Sequence, residues 1–276
     1  MNFYIVILQY NNFIDTKRCI DSLSKFKNEN IQIIVVDNGS KIDNQKKLIR
    51  TYDKVERVHI ILSDKNLGFS AGNNLGYQYA LSKSSTDYII LLNNDTTITQ
   101  MDFFEKISEL YSNEKFAVCG PDIYNPILKK HQSPFFPSGS INNFFMTIII
   151  LKSIFEPILK YFRKDLNNSE NWMSTSKNSC THGACWIFSE LYISNFPSGL
   201  DEDIFMYGEE ILLSVTLRKS NLLQIYTPLI QVNHFEGGST FLNHTTYLKR
   251  YIFKVSNEIK SFTKIKKKLK MFSNKY

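Results

Sequence analysis

Hydrophobic positions in the first hundred residues follow two alternating patterns. Continuous apolar runs, "FYIVILQY" (3–10), "IQIIVVDNGS" (31–40), "VHIILS" (58–63) and "YIILLNND" (88–95), read as strands buried on both faces. Between them, "TKRCIDSLSKF", "KKLIRTY" and "SAGNNLGYQYALSKS" read as helices, the first with Cys19, Ile20, Leu23 and Phe26 on one side. The order β-α-β-α-β-α-β, with right-handed crossovers, predicts an α/β fold: a mostly parallel central sheet with helices on both faces. Each strand runs into polar residues: Gln9, Tyr10, Asn11 and Asn12; Asp37, Asn38 and Ser40; 63–68; and Asn93, Asn94 and Asp95. Parallel strands gather these ends on one edge, where open α/β sheets bind ligands.

Beyond Asp95 the pattern changes. Residues 103–111 read as a helix, "AVCGPDIYN" as strand and turn, "CTHGACWIFS" as strand, "EEILLSVTLRKS" as helix and "LQIYTPLIQVNHF" as strand. Residues 126–177 read as an irregular, locally apolar insertion. No repeat or low-complexity linker interrupts the chain, so one domain with a C-terminal appendage is expected.

The composition, 43% hydrophobic and 21% charged, is that of a globular chain, and 276 residues suffice for a full core. The net charge of +7 is unevenly placed: residues 249–276 hold ten Lys or Arg against Glu258, leaving about −2 for the rest. Charge confined to a tail argues for contact with an anionic surface and against a nucleic-acid groove, which spreads its charge through the fold. Ile259, Phe262, Ile265, Leu269 and Phe272 recur in that tail at spacings of three and four between lysines. Such a helix lies on a membrane surface or docks on protein. The stretch "INNFFMTIIILKSIFEPILKYFRK", with Lys152, Lys160, Arg163 and Lys164, leaves the same two options. Its longest apolar run, eight residues, is too short to span a bilayer. Cys19, Cys119, Cys180 and Cys185 lack metal-finger spacing, and the N-terminus begins as a strand with no cleavage signal, so a reduced, cytosolic protein is expected.

Asn93-Asn94-Asp95 suits an ordinary turn, or a helix cap at Asp95, and equally a metal or phosphate site beyond a strand end. Asp37 with Asn38 and Ser40 suits an Asx-turn, and equally the imide edge of uracil or thymine, which sets one N–H between two acceptors. The stretch 66–76, "NLGFSAGNNLG", opens a helix as a phosphate-contacting segment does, but it is neither G-x-G-x-x-G nor a Walker loop, so a dinucleotide-binding dehydrogenase loses ground. Asp201, Glu202, Asp203, Glu209 and Glu210 cluster before a helix, where the macrodipole alone favours acids. Trp186 reads as core.

In order and spacing, "VVDNGS", "NLGFSAGNNLG", "LLNND" and "GLDEDIFMYGEE" resemble family 2 glycosyltransferases of the GT-A fold, closest to the rhamnosyl- and galactosyltransferase-like enzymes of bacterial surface-polysaccharide assembly. The resemblance spans roughly 3–240. It implies a GT-A domain over 1–245, with a nucleotide-binding half (1–99) and an acceptor and catalytic half (100–245), followed by a basic amphipathic tail (246–276). It implies an inverting transfer of a hexose or deoxyhexose from a UDP- or dTDP-sugar to a lipid-linked glycan, in capsule or O-antigen synthesis, at the inner face of the cell membrane. Asp95 takes the place of the last acid of the family's D-x-D motif, with Asn93 where the first acid usually stands. Asp95 and His234 are then the ligands of Mn²⁺ or Mg²⁺, hard cations that keep company with phosphates. Glu210 corresponds to the catalytic base, while Leu212 replaces an acid usual in that motif. Donor and acceptor contacts fall on Gln9, Tyr10, Asn11, Asp37, Asn38, Ser40, Asn66, Gly68, Phe69, Gly72, Asn73, Asn93, Asn94, Asp201, Glu202 and Glu209.

Two rivals stand beside this reading. A sugar-1-phosphate nucleotidyltransferase shares a related architecture, but "LQYNNFIDTKR" lacks its glycine-rich basic loop. A non-catalytic nucleotide-sugar-binding or scaffold protein of the same fold gains slight support from Leu212. Nucleic acid is not an expected partner; an anionic membrane surface is, and a homodimer stays open.

Overall fold

A computed structural model describes residues 1–27, 30–83, 85–162, 170–235 and 246–273. The first four strands, β1 (Phe3–Gln9), β2 (Ile31–Asp37), β3 (Val58–Leu62) and β4 (Tyr88–Asn93), pair in parallel in the order β3-β2-β1-β4. Their alternate side chains feed two cores, as the continuous apolar runs require. Phe3, Ile5, Ile7, Ile33 and Val35 face α1 (Phe13–Leu23), α2 (Ile42–Tyr52) and α4 (Phe103–Asn113). Tyr4, Val6, Ile34 and Val36 face α3 (Phe69–Leu81) and α7 (Glu209–Lys219). Trp186 lies in this second core and is fully buried, as read. All four cysteines are buried free thiols.

The sheet continues from β4 through β11 (Cys185–Ser189), antiparallel, then β6 (Val118–Asn125) and β12 (Gln224–His234), which run parallel to each other. It ends on the two-residue strand β5 (Thr96–Thr97). Strand order reverses at β1, since β2 and β3 lie to one side of it and β4 to the other. That switch point opens a crevice at the carboxyl ends of β1 and β4.

Within 126–177, expected to be irregular, the chain forms the short strands β7 (Lys130–His131), β8 (Phe136–Pro137) and β9 (Ser176–Lys177), and a long helix, α5 (Asn143–Phe162). The helix falls within the stretch 141–164, which reads as a helix on membrane or protein. Arg163 and Lys164 lie outside the described residues, as do the side chains of Lys160 and Phe272. Strand β10 (Ser179–Cys180) pairs with β8, and the short helix α6 (Glu190–Asn195) follows β11.

Helix α8 (Tyr247–Ser273) is the basic tail. Phe262, Ile265 and Leu269, read as a membrane-facing stripe, are buried in a third core with Ile204, Ile211, Leu212 and Val215, with Ile141 just before α5 and with Met146 in its first turn. Docking on protein is therefore realised for that stripe. The contact also gives Leu212 a physical role, because an ionised acid at this dry position would lose its hydration without a partner. Polar ties fasten the helix further: Lys268 pairs with Asp201 and Asp203, the latter at 2.5 Å, and the Ser261 hydroxyl donates to the Met206 carbonyl at 3.0 Å. Among the described residues, no helix is long and apolar enough to cross a membrane.

Since Ile265 is about 1% exposed, Ile265→Ala should cost about 2–4 kcal/mol, read as a lowered urea midpoint. An unchanged midpoint would mean that the tail contributes nothing to the folded core.

Candidate active site

The residues that end β1, β4 and β12 meet the start of α7 around one cavity of about 770 Å³. Asp95 occupies the turn between β4 and β5. It caps no helix, since α4 begins only at Phe103. The turn is fixed from both sides: Asn93 takes the Ala184 carbonyl at 2.9 Å, and the Asn94 amide donates to the Thr16 hydroxyl at 3.0 Å. Pairing of β5 with β12 sets Thr96 opposite His234, and the Phe235 N–H donates to the Asp95 carbonyl at 2.9 Å. This register brings together two side chains 139 positions apart in sequence: His234 Nε2 stands 3.3 Å from Asp95 Oδ1.

The environment of this pair suits a cation. Burial alone would push the Asp95 carboxyl up, but the hydrogen bond and charge of His234, its own backbone N–H and His182 together hold it below the usual carboxylate range. His234 Nδ1 meets Gln132 Oε1 at 2.9 Å, and since that oxygen only accepts, Nδ1 carries a proton. With a second proton on Nε2 the ring is a cation that donates to Asp95; without it a lone pair faces the carboxylate, and a bound cation would take the place of that proton. Octahedral Mg²⁺ with ligands at about 2.1 Å sets neighbouring ligand atoms roughly 3 Å apart, close to the spacing seen. Among the described residues no group of three or more His, Cys, Asp or Glu is arranged to hold a metal. Two protein ligands fit an ion that takes its remaining oxygens from phosphate and water.

His182 was not singled out by sequence reading. It lines the same cavity, with its ring 5.3 Å from that of His234. Its Nδ1 accepts the Ala184 N–H at 3.0 Å, leaving the proton of a neutral ring on Nε2. Burial, then His234, against the opposing pull of Asp95, pushes its pKa down to about 3. His182 is thus a neutral N–H donor beside the pair. Its signal in "CTHGAC" was a lone histidine before a strand, which spacing cannot distinguish from a structural one.

Across the cavity, Tyr207 and Gly208 adopt left-handed φ of 67° and 100°, turning the chain sharply into α7. Only glycine suits the second position, where an added Cβ would stand 3.0 Å from Phe262 of α8. The turn delivers Glu209 and Glu210 to the helix N-terminus. Glu210 Oε1 accepts the Gly183 N–H at 3.3 Å. Burial pushes both carboxyls of this coupled pair up; the charge of Glu210 adds to the effect on Glu209, and that of Glu258 to the effect on Glu210.

Of the residues expected at the site, Tyr10, Asn38, Asn66, Gly68, Phe69, Asn93, Asn94, Asp95, Glu209, Glu210 and His234 line this cavity. The others lie outside its lining. Asp37 is fully buried: Gln9 donates to Oδ2 at 2.6 Å, and the Ser40 N–H and Gln45 donate to Oδ1 at 2.8 and 3.2 Å. Asn11, with φ 55°, ties the β1 end to Ser40 and Lys41. Gly72 and Gly76 seat α3 on the sheet, where added Cβ atoms would come within 2.8 Å of Leu8 and 2.4 Å of Val6. Asn73 donates to the Phe69 carbonyl at 3.0 Å. Glu202 accepts from Asn74 at 2.7 Å, and Asp201 pairs with Lys268.

Comparison with known proteins agrees with this architecture. A hexosyltransferase of low-salt glycan biosynthesis from Haloferax volcanii, Agl10, is 26% identical over 219 residues, 79% of this chain and 62% of that protein. A dTDP-rhamnosyl transferase from Shigella flexneri, RfbF, is 30% identical over 120 residues, 44% of this chain and 38% of that protein. The chain thus spans less than two thirds of the length of either relative. S. aureus TarS (residues 1–349) superposes with a TM-score of 0.54 at 11% identity, over 94% of this chain and 65% of that one. GalNAc-T7 crystallised with UDP, GalNAc and Mn²⁺ superposes with a TM-score of 0.59 at 13% identity, over 84% of this chain and 43% of that one. These two likenesses show the GT-A fold. Residues 4–171, more than half of the chain, match the family described as glycosyl transferase family 2, and the chain belongs to that family.

Proposed function

We propose that the chain is an inverting, metal-dependent glycosyltransferase that moves a hexose or deoxyhexose from a UDP- or dTDP-sugar to a lipid-linked glycan of the capsule or O-antigen type. The observation that carries this reading is the facing of Asp95 and His234, 3.3 Å apart, with Glu210 in one cavity. Relatives that transfer hexose and dTDP-rhamnose, and a neighbour crystallised with UDP and Mn²⁺, support the donor class and the ion.

A bound Mn²⁺ or Mg²⁺ would supply charge to the leaving diphosphate. Asp95, kept ionised, and His234, with its Nδ1 proton on Gln132, would hold that ion. Glu210 takes the proton from the acceptor hydroxyl as it attacks the anomeric carbon; the Gly183 N–H steadies its carboxylate, and burial makes it a stronger base than a carboxylate in water. His182 donates from Nε2 to oxygens of the departing group. Asn38 and Asn66, whose side chains meet at 3.2 Å, line the nucleotide side. Asp37 supports them from beneath and reads the pyrimidine only if Gln9 or Gln45 yields an oxygen to it.

The acceptor side faces an anionic membrane at the inner leaflet. On α5, Phe144, Ile148, Leu151 and Phe155 are 75%, 46%, 50% and 48% exposed and recur at spacings of four, three and four, so one face of the helix is apolar and uncovered. Leu248 and Ile252 at the start of α8 are also exposed, with Lys249 between them. Four such side chains at one face are enough for interfacial binding reinforced by lysines.

Three outcomes test this reading. UDP or dTDP at 100 times its dissociation constant should raise the melting midpoint by several degrees, about 2.7 kcal/mol, only with Mn²⁺ present; Asp95→Ala should remove that dependence, and a metal-dependent shift surviving in the variant would discard the assignment. Glu210→Gln should keep donor binding and lower transfer by about 10²–10⁴-fold. Since a base works deprotonated, wild-type kcat should fall as pH drops through a value above the ordinary carboxylate range; a limb at the usual Glu value would move the base elsewhere. Phe144→Glu with Leu151→Glu should reduce sedimentation with anionic vesicles about tenfold or more and leave nucleotide binding intact, whereas unchanged sedimentation would dismiss α5 as the anchor.

A further inference from the structure

We propose that Arg250 and Lys254 of the tail helix form a cationic clamp on the diphosphate of the donor, so that α8 completes the nucleotide site. This rests on the transferase reading and extends it to a segment beyond the family match, which ends at residue 171. The cavity lining supplies the argument. Its carboxylates are Asp95, Glu209 and Glu210, while Arg250 and Lys254 are the only Lys or Arg among its described lining residues. A diphosphate ester carries two to three negative charges and enters a space already lined with acids. One divalent ion at Asp95 and His234 leaves part of that charge uncompensated, and the two tail residues are the cations placed to meet it.

Position and chemistry agree with this role. Residues four apart on a helix lie on one face, so Arg250 and Lys254 look into the cavity together. Arginine offers a planar fork that matches two phosphate oxygens, and lysine adds a compact point charge. The helix that carries them is anchored by Lys268 on Asp201 and Asp203, by Ser261 on Met206, and by Phe262 and Ile265 in the third core. The acids facing the pair are Glu209 and Glu210 on α7 and, on α8 itself, Glu258, whose Oε1 is 3.8 Å from Lys254 Nζ. A lipid diphosphate offers the same anion. The nucleotide is the source favoured here, because both residues share their cavity with Asn38, Asn66, Asp95 and His234.

Calorimetric titration of the full chain in Mn²⁺ tests the clamp, with UDP, UMP and geranyl diphosphate as ligands. The variants are Arg250→Ala with Lys254→Ala, and the charge-retaining Arg250→Lys with Lys254→Arg. The double alanine variant should bind UDP at least tenfold more weakly and UMP less than threefold more weakly, with the charge-retaining variant within threefold of wild type for both. UDP affinity within twofold of wild type in the double alanine variant would overturn the clamp alone. Equal weakening of UDP and UMP would reassign the pair to general shaping of the cavity, and a loss confined to geranyl diphosphate would assign it to an acceptor; either result overturns the clamp. Wild-type protein that binds none of UDP, UMP and, titrated in the same way, dTDP would overturn the transferase reading, and the clamp with it.

Discussion

The site depends on one short piece of pairing: Thr96 and Thr97 against the last residues of β12. Two residues of strand contribute little to stability alone, yet they close the sheet at the point where β4 has ended. Strand pairing has a period of two, so a slip of one residue would turn His234 to the other face and break its approach to Asp95. The Phe235 N–H on the Asp95 carbonyl secures the same register through the backbone. A sheet long enough to bury two cores is therefore also the device that sets the 3.3 Å between His234 Nε2 and Asp95 Oδ1. Buried β1 and β4 form one edge of the cavity, and β12 carries His234 to it.

The third core answers a different need. Helix α7 must present Glu209 and Glu210 at its N-terminus while lying on the sheet through Leu213 and Leu217. Its opposite side carries Ile211, Leu212 and Val215, which would be wet without α8. Covering them takes the tail's apolar stripe and leaves the lysines outward or paired. In this chain, that packing gives Leu212 a structural role in the third core. Docking also presses Phe262 against Gly208, so the tail shapes the sharp turn that aims the two glutamates.

The fold's first half was legible because buried parallel strands leave an unbroken apolar signal and their helices keep a helical period. That Asp95, Glu210 and His234 would come together in one cavity was legible from ordered motifs and from the place of His234 at the end of the last strand. The sequence is ambiguous where one residue type serves two purposes. Gly72 and Gly76 suggested a phosphate loop, but close contact of α3 with Val6 and Leu8 accounts for them. Asp37 lies at a strand end like Asp95, yet Gln9, Ser40 and Gln45 enclose it, and those partners are 28, 3 and 8 positions away in sequence. His182 had no pattern at all, because its role comes from a turn whose N–H at Ala184 selects its tautomer. The tail's two options, lipid or protein, are not separable by periodicity, since an amphipathic helix looks the same against either.

The distribution of charge across the cavity ties these features together. Asp95 and Glu210 are both enclosed carboxylates, and burial pushes each toward the neutral form. At Asp95, His234 and a backbone N–H reverse that tendency, so a negative charge persists beside His234. At Glu210, its own backbone N–H and the 3.3 Å bond from Gly183 offset it only in part, and the charge of Glu258 favours proton uptake. One wall therefore keeps its charge and the other readily accepts a proton, the separation that a displacement with a departing anion and a deprotonated nucleophile requires. Neutral His182 stands between the two without adding charge to either, and Arg250 and Lys254 bring positive charge from the helix that buries Leu212.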